Sequence, residues 1–185
     1  MLNVSNLSFS FDNGERVIRD MSFTGEKGER ICLSAASGEG KTTVLKLIAG
    51  LLTAESGKIE TSGKVGMSFQ SDALFPWQTA LQNVKNVCEE KTAAYWLDAF
   101  GLGSDFDKKP GELSGGMRRR VSLARAVAFE PDILLLDEPF NGLDSECKEK
   151  IMALIAGHFS SRLIVFTTHD KSEQDSFATR VIELS

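Results

Sequence analysis

A loop of small residues stands directly before a lysine and two threonines, in the segment Ser37-Gly38-Glu39-Gly40-Lys41-Thr42-Thr43. Small residues allow backbone N–H groups to turn inward and bind the oxygens of a polyphosphate. In such a loop Lys41 supplies a positive charge for the terminal phosphates, and Thr42 supplies a hydroxyl ligand for Mg²⁺. The strict motif requires a glycine where this chain has Ala35. The segment predicts a nucleotide-binding loop, and the alternative is a glycine-rich turn before an ordinary helix.

Two adjacent acids, Asp137 and Glu138, follow the apolar run Ile133-Leu134-Leu135-Leu136. A buried strand over this run would place both carboxylates at the carboxyl edge of a sheet, where ligands bind in α/β folds. Asp137 would then hold Mg²⁺, and Glu138 would orient or deprotonate an attacking water. The alternative is a strand that ends in two solvated acids.

A third segment, Leu113-Ser114-Gly115-Gly116-Met117, precedes the arginines Arg118-Arg119-Arg120. Ser114 suits the N-cap of a helix, and the N–H groups at a helix start form an anion site. The alternative is an ordinary capped helix after a loop. We expect the arginines to form a solvated, ion-paired face rather than a nucleic-acid-binding patch.

The elements around these segments indicate an α/β core. Arg30–Ser34 predicts a strand before the phosphate loop, and residues 41–52 have the apolar spacing of a helix. Residues 132–136 and Leu163–Thr167 predict buried strands of a parallel sheet, and residues 145–156 predict a helix between them. This alternation of strands and helices is typical of the α/β class.

The start and the middle of the chain have different patterns. Residues 7–11 alternate apolar and polar side chains before the turn residues Asp12-Asn13-Gly14, which predicts a small antiparallel sheet. Between residues 71 and 129 the pattern is mostly helical, with predicted helices over 81–88, 93–100 and 117–129. We therefore predict a single domain over residues 1–185, with a core of residues 1–70 and 130–185 and a helical subdomain of residues 71–129.

The composition sets the broad class of protein. The chain of 185 residues is 42% hydrophobic and 25% charged, which is typical of one globular domain. Its net charge of −5 argues against a general nucleic-acid-binding protein. Its three cysteines are widely spaced, which favours a reducing compartment such as the cytoplasm over a disulfide framework. The apolar stretches are too short to span a bilayer, so we expect membrane attachment only through a partner.

Taken in order, the phosphate loop, the Ser114 segment and the two acids resemble those of the ATP-binding cassette (ABC) ATPases. The resemblance covers nearly the whole chain. It implies the family's P-loop NTPase fold, in which an ABC-type sheet core carries an N-terminal antiparallel β subdomain and an inserted helical subdomain. It also implies that the protein binds ATP with Mg²⁺ and hydrolyses it.

Three further segments match motifs of this family. Gln70 is similar to the Q-loop glutamine, which contacts Mg²⁺ and the attacking water. The segment Asn141-Gly142-Leu143-Asp144 resembles the D-loop, and the resemblance places Asp144 among the nucleotide-binding residues. The segment Thr168-His169-Asp170 resembles the switch segment, whose histidine contacts the γ-phosphate.

Two N-terminal residues match family positions beside the adenine ring. Phe11 stands where many members have an aromatic residue that stacks on the base, and stacking requires only a π-face. Val17 matches a second adenine-contacting position. The alternative for Phe11 is that it continues the apolar face of Leu7 and Phe9 into the core.

The resemblance implies a dimer, formed by two copies or with a second ATPase subunit. Ser114-Gly115-Gly116 of one subunit, the family's signature motif, would cover the γ-phosphate held by Lys41 of the other subunit. This motif has Met117 where glutamine is usual. Glu138 and His169 would hold the attacking water for an in-line displacement.

The resemblance also suggests a transmembrane permease as a partner, at the cytoplasmic face of the cell membrane. The segment Leu74-Phe75-Pro76-Trp77 is similar to the transporter-contacting surface of small-molecule importers, and the alternative is that it fills the core of the helical subdomain. Two other functions remain open at this point. One is an ABC ATPase that acts on chromosomes, DNA repair or ribosomes, and the other is a regulatory nucleotide-binding protein without hydrolysis.

Overall fold

The structure is a computed structural model that describes residues 1–11, 14, 16–36 and 38–184. Two of the predicted turn residues, Asp12 and Asn13, and the predicted phosphate-binding residue Ser37 lie outside the described residues. The strands are β1 (Leu2–Ser10), β2 (Arg16–Gly25), β3 (Arg30–Ser34), β4 (Ser56–Thr61), β5 (Val65–Ser68), β6 (Ile133–Asp137), β7 (Leu163–Thr167) and β8 (Arg180–Glu183).

Six α-helices lie in the described part of the chain, and none of them is long and apolar enough to cross a bilayer. They are α1 (Lys41–Ile48), α2 (Ala80–Lys85), α3 (Glu90–Ala99), α4 (Gly115–Ala128), α5 (Ser145–His158) and α6 (Lys171–Phe177).

The N-terminal strands form the predicted antiparallel sheet, with the order β2-β1-β4. Strand β4 is not evident from the sequence, because Ile59 alone among its residues is partly buried. Its other residues are exposed, so the strand lacks an alternating apolar pattern and is defined by its backbone pairing with β1.

The second sheet is parallel, with the order β5-β6-β7-β3-β8. Strands β6 and β7 are buried along their whole length. Their residues alternate between two cores: Leu134 and Phe166 belong to the core that contains α4 and α5, whereas Leu135 and Val165 belong to the core that contains α1 and the antiparallel sheet. Burial on both faces explains their continuous apolar sequences.

Helix α1 ends four residues earlier than predicted, at Ile48 rather than at residue 52. Gly50 adopts a φ of 71° there. The N–H of Leu51 donates to the carbonyl of Lys46 (2.9 Å), and that of Gly50 donates to the carbonyl of Leu47 (3.0 Å). These two hydrogen bonds form a Schellman motif, which ends the helix here although the apolar pattern continues to residue 52.

Between residues 71 and 129 the chain forms α2, α3, a 3-10 turn at Pro110–Glu112 and α4. Helices α2, α3 and α4 pack on one another. The buried side chains of Trp96 and Leu97 on α3 share a core with Val121 and Leu123 on α4. Helix α4 also packs against β5, so the helical region is joined to the parallel sheet through this helix.

Candidate functional site

A cleft of about 300 Å³ lies at the carboxyl edge of the parallel sheet, where the chain leaves β3, β5, β6 and β7. It brings together predicted site residues that are up to about 160 positions apart in the sequence, as expected for the carboxyl ends of neighbouring parallel strands. The lining residues are Phe11, Val17, Gly38, Gly40, Lys41, Thr42, Thr43, Gln70, Glu138 and His169.

Backbone conformation decides which glycines the phosphate loop needs. Gly38 and Gly40 have φ values of 87° and 88°. A Cβ atom on Gly40 would lie 2.5 Å from a methyl carbon of Val17, so glycine is required there for both conformation and space. Ala35 does not have a positive φ. The substitution of alanine for the motif's first glycine is therefore compatible with this loop.

The charged side chains of the loop contact its own backbone. The ammonium group of Lys41 donates to the carbonyl oxygens of Ala35 (2.7 Å) and Ala36 (3.0 Å), and the residue is only 6% exposed. The carboxylate of Glu39 accepts from the N–H of Ala36 (2.7 Å). Glu39 thus braces the loop from its exposed side, whereas Lys41 lies beneath the loop at the cleft.

Asp137 is buried at the floor of the cleft, with 2% exposure, between two hydroxyl groups. Thr42 Oγ1 donates to Asp137 Oδ2, and Thr167 Oγ1 donates to Asp137 Oδ1, both at 2.8 Å. A hydroxyl and a carboxylate in contact beside a phosphate loop are hard oxygen donors, which Mg²⁺ prefers. The residues present therefore fit a Mg²⁺ ion, which Thr42 and Asp137 would hold.

The side chains of Glu138 and His169 are in direct contact at the cleft. Glu138 Oε1 lies 2.6 Å from His169 Nε2, and the side chain of Glu138 is 14% exposed while that of His169 is 47% exposed. Glu138 has a φ of 46°, in the left-handed region that non-glycine residues rarely adopt. Its N–H donates to Thr167 Oγ1 (3.0 Å) at the end of β7. A strained backbone therefore directs this carboxylate into the cleft.

The aromatic residue that lines the cleft is Phe11, which is 43% exposed. Its ring meets that of Phe9 edge-on, with 5.1 Å between centroids, whereas Phe9 itself is 8% exposed. Phe11 is thus not buried with Leu7 and Phe9, and its ring is available at the cleft. Val17 lies on the same side, against Gly40 of the loop.

The Ser114 segment begins α4 outside this cleft. Ser114 Oγ accepts from the N–H of Met117 (3.2 Å), which confirms the predicted N-cap. Ser114 and Gly115 are exposed, and a Cβ on Gly116 would lie 3.2 Å from the carbonyl oxygen of Gly142. Within the described residues, neither these residues nor Asp144 line the cleft of their own chain.

Asp144 is the N-cap of α5, and its carboxylate accepts from the N–H of Cys147 (2.9 Å). Lys148 joins α5 to the start of α6 through ion pairs with Glu173 (2.5 Å) and with Asp170 (3.2 Å), which follows His169 in the sequence. Hydrogen bonds from Ser172 and Lys148 lower the pKa of Asp170 to about 2. The spacing of Asp170 and Glu173 is typical of a helix start and could have predicted α6.

The expectation of a solvated arginine face is wrong for Arg119, which is 3% exposed. Burial lowers the pKa of its guanidinium group. Arg119 lies three and four positions before Ser122 and Leu123, both of which are buried, so it shares their helix face. That spacing is the sequence feature that could have indicated its burial.

Comparison with known proteins adds consistent matches. A family model described as ABC transporter matches residues 18–141. The nitrate import ATP-binding protein NrtD of a Synechocystis species is 41% identical over 188 residues, which cover 91% of this chain and 70% of that protein. The taurine import ATP-binding protein TauB of Roseobacter denitrificans is 35% identical and covers 100% of this chain and 77% of that protein.

Solved structures give the same result. A dimeric structure of MJ0796, a bacterial ABC transporter cassette, matches with a TM-score of 0.92 and 29% identity, over 100% of this chain and 94% of that one. A second dimeric structure of MJ0796, in a post-hydrolysis state with ADP and Pi bound, matches with a TM-score of 0.91 and 28% identity over the same shares.

Proposed function

This chain belongs to the ABC transporter family of ATP-binding subunits, and we propose that its cleft binds ATP with Mg²⁺ and hydrolyses it to drive import through a transmembrane partner. The proposal rests on two contacts beside one phosphate loop. Thr42 donates a hydrogen bond to Asp137, and the carboxylate of Glu138 contacts the imidazole of His169. Phosphate binding, metal ligation and water activation are the three tasks that ATP hydrolysis requires.

Each side chain has a task that follows from its position. Lys41 and the N–H groups of the loop bind the phosphates, with the helix α1 dipole behind them. Thr42 and Asp137 would hold Mg²⁺, which supplies neutralisation of charge on the phosphate oxygens. Glu138 orients the attacking water and accepts its proton, and His169 faces the same space.

Three further residues complete the proposed site. Gln70 lines the same cleft as Glu138 and would contribute a neutral amide near the water and the metal. Phe11 offers an exposed ring for adenine stacking, and Val17 lines the same cleft against Gly40.

We also propose that the functional unit contains two cassettes, either two copies of this chain or one copy with a second ATPase subunit. The supporting observation is that Ser114-Gly115-Gly116 and Asp144 lie outside the cleft of their own chain, although the first two residues are exposed at a helix start. A two-fold arrangement would place this helix start against the ATP of the other subunit. The MJ0796 cassettes are dimers, one of them with ADP and Pi.

The proposed docking surface for the permease is the segment of residues 74–77, in the helical subdomain that we assign to residues 71–129. Phe75 and Trp77 are 41% and 69% exposed, with 5.6 Å between ring centroids. Buried Asn83 exchanges hydrogen bonds with the backbone of Phe75 (2.8 and 3.2 Å), so the exposed rings stand on a fixed loop. This surface would hold the protein at the cytoplasmic face of the membrane.

The relatives favour transport over the alternative functions on chromosomes, DNA repair or ribosomes. Those reported above are named as nitrate and taurine import proteins. The presence of Lys41, Asp137, Glu138 and His169 in one arrangement also favours hydrolysis over regulatory binding alone.

The test of the proposed ATP site is phosphate release by the purified protein, with a Lys41→Ala variant. We expect Mg²⁺-dependent release from ATP, and a loss of ATP affinity of at least about tenfold in the variant, since hydrogen bonds to charged groups contribute about 1.5–3 kcal/mol. Lys46→Ala, in the same helix and outside the cleft, is the matched control. Equal ATP binding by both variants would show that Lys41 does not hold the phosphates.

A further inference from the structure

Arg119 is a buried cation whose guanidinium group donates only to backbone carbonyl oxygens among the described contacts. It lies in α4, five residues after Ser114, and 3% of it is exposed. Its acceptors are the carbonyl oxygens of Phe69 (2.5 Å), Asp137 (2.6 Å), Glu138 (2.7 Å), Pro139 (2.9 Å) and Gln70 (3.5 Å).

These acceptors belong to two separate segments of the site. Asp137, Glu138 and Pro139 are the end of β6 and the start of the following loop, whereas Phe69 and Gln70 follow β5. A guanidinium group has several N–H donors in a fixed planar fork, so it fixes the relative positions of the carbonyl groups that it binds. Arg119 therefore joins the start of α4 to the backbone of both cleft-lining segments.

The bond to Glu138 has a particular consequence because the backbone of that residue is strained. A φ of 46° at a non-glycine residue persists only where the surroundings hold it. Three hydrogen bonds hold the backbone of Glu138. Its N–H donates to Thr167 Oγ1 (3.0 Å), and its carbonyl accepts from Arg119 Nη2 (2.7 Å) and from the N–H of Asn141 (3.3 Å). Without the bond to Arg119, this carbonyl keeps the longer bond to Asn141, so we expect the strained backbone to relax and the carboxylate to shift relative to His169.

We propose that Arg119 is a positioning residue for ATP hydrolysis, a proposal that rests on the proposed function. From helix α4, which Ser114 caps, Arg119 fixes the backbone of Glu138 and Gln70. Arg119 does not line the cleft. It acts through Glu138 and Gln70, so its loss affects the hydrolysis step and leaves the phosphate-binding contacts of Lys41 and Thr42 in place.

The experiment compares Arg119→Met with Arg120→Met. Arg120 is a matched control because it also lies in α4 and donates to two backbone carbonyls, those of Phe100 and Gly101 (both 2.9 Å), away from the cleft. We expect Arg119→Met to lower kcat by at least about tenfold, since a displacement of about 1 Å costs up to about a hundredfold in rate. ATP affinity and KM should stay within about threefold, and Arg120→Met should lose less than about twofold in kcat.

Arg119→Lys is the conservative variant and protects the test against poor folding of the methionine variant. Lysine keeps the charge but has one nitrogen, so it reaches fewer carbonyl groups, and we expect a kcat between those of wild type and Arg119→Met. A kcat for both Arg119 variants equal to that of Arg120→Met would overturn the proposal, as would a loss of ATP affinity that matches the loss of kcat.

Hydrogen–deuterium exchange provides a readout that does not depend on activity. We expect Arg119→Met to increase exchange in the peptides over residues 66–73 and 137–143, and Arg120→Met to leave them unchanged. Wild-type protein without ATP hydrolysis would contradict the proposed function, whereas unchanged exchange in the Arg119 variants would contradict the positioning role. The two failures are therefore distinguishable.

Discussion

At the residue scale, two neighbouring carboxylates have different surroundings and therefore suit different tasks. Asp137 is almost fully buried, and both of its oxygens accept from threonine hydroxyls. Glu138 is turned into the cleft by its left-handed backbone and contacts His169. The first arrangement suits a fixed metal ligand, and the second suits a group that holds a water and accepts its proton.

We predict that Glu138→Gln keeps ATP binding and lowers phosphate release by at least about a hundredfold, because glutamine has nearly the same shape but cannot accept the proton of the attacking water. Glu146→Gln, an exposed acid in the first turn of α5, is the control and should retain full turnover. The measurement is steady-state phosphate release together with equilibrium ATP binding. Unchanged turnover in Glu138→Gln would exclude the residue from the proposed role.

At the element scale, the site is assembled from the ends of elements, each fixed by its own contacts. Helix α1 begins at the phosphate loop, and the ends of β6 and β7 are joined through Thr167. The segment that carries His169 is held by Lys148 of α5 and Glu173 of α6. The helical region instead presents Phe75 and Trp77 on a loop that Asn83 fixes. The sheet edge thus presents polar side chains in fixed contacts, whereas the loop presents exposed aromatic rings.

We predict that Trp77→Ser weakens co-purification of this chain with its membrane partner under native expression, by at least about tenfold in affinity, because exposed aromatic residues dominate interface energetics. Tyr95→Ser is the matched control, since Tyr95 is an exposed aromatic residue (61%) on α3. ATP hydrolysis by the isolated Trp77 variant should equal that of wild type. Recovery of no membrane protein with the wild-type chain would argue against a transport function.

At the scale of the whole molecule, the cleft and the exposed start of α4 do not meet within one chain. The cleft contains the phosphate loop, the two acids and His169, and the exposed Ser114 helix start lies elsewhere on the surface. Arg119 links the start of α4 to the cleft within the subunit. It donates to two carbonyl groups after β5 and to three at and just after the end of β6. Two subunits arranged head to tail would complete two sites.

We predict that Ser114→Asp abolishes hydrolysis but leaves ATP binding to the monomer within about twofold of wild type, because aspartate caps a helix as well as serine does. Its carboxylate would repel the phosphates of the ATP held by the other subunit. Specific activity of wild-type protein should rise with protein concentration, measured by phosphate release over a dilution series. A specific activity independent of concentration, with full activity of Ser114→Asp, would indicate a site complete in one chain.

The sequence by itself determined the phosphate loop, the acids after β6, the N-cap at Ser114 and the alternation of strands and helices. These features are local, because each depends on residues within a few positions of one another. The sequence did not predict the exposed strand β4, because its backbone pairing with β1 defines it. Nor did it predict the early end of α1, which the left-handed conformation of Gly50 decides.

Only the tertiary structure decided how the local features combine. The order β5-β6-β7-β3-β8 brings Thr42 to Asp137 and Glu138 to His169. Folding also buries Arg119 among carbonyl groups from distant segments, against the expectation from a run of arginines. The physical reason is that a buried cation is stable only where several acceptors converge, and that convergence is a property of packing rather than of neighbouring residues.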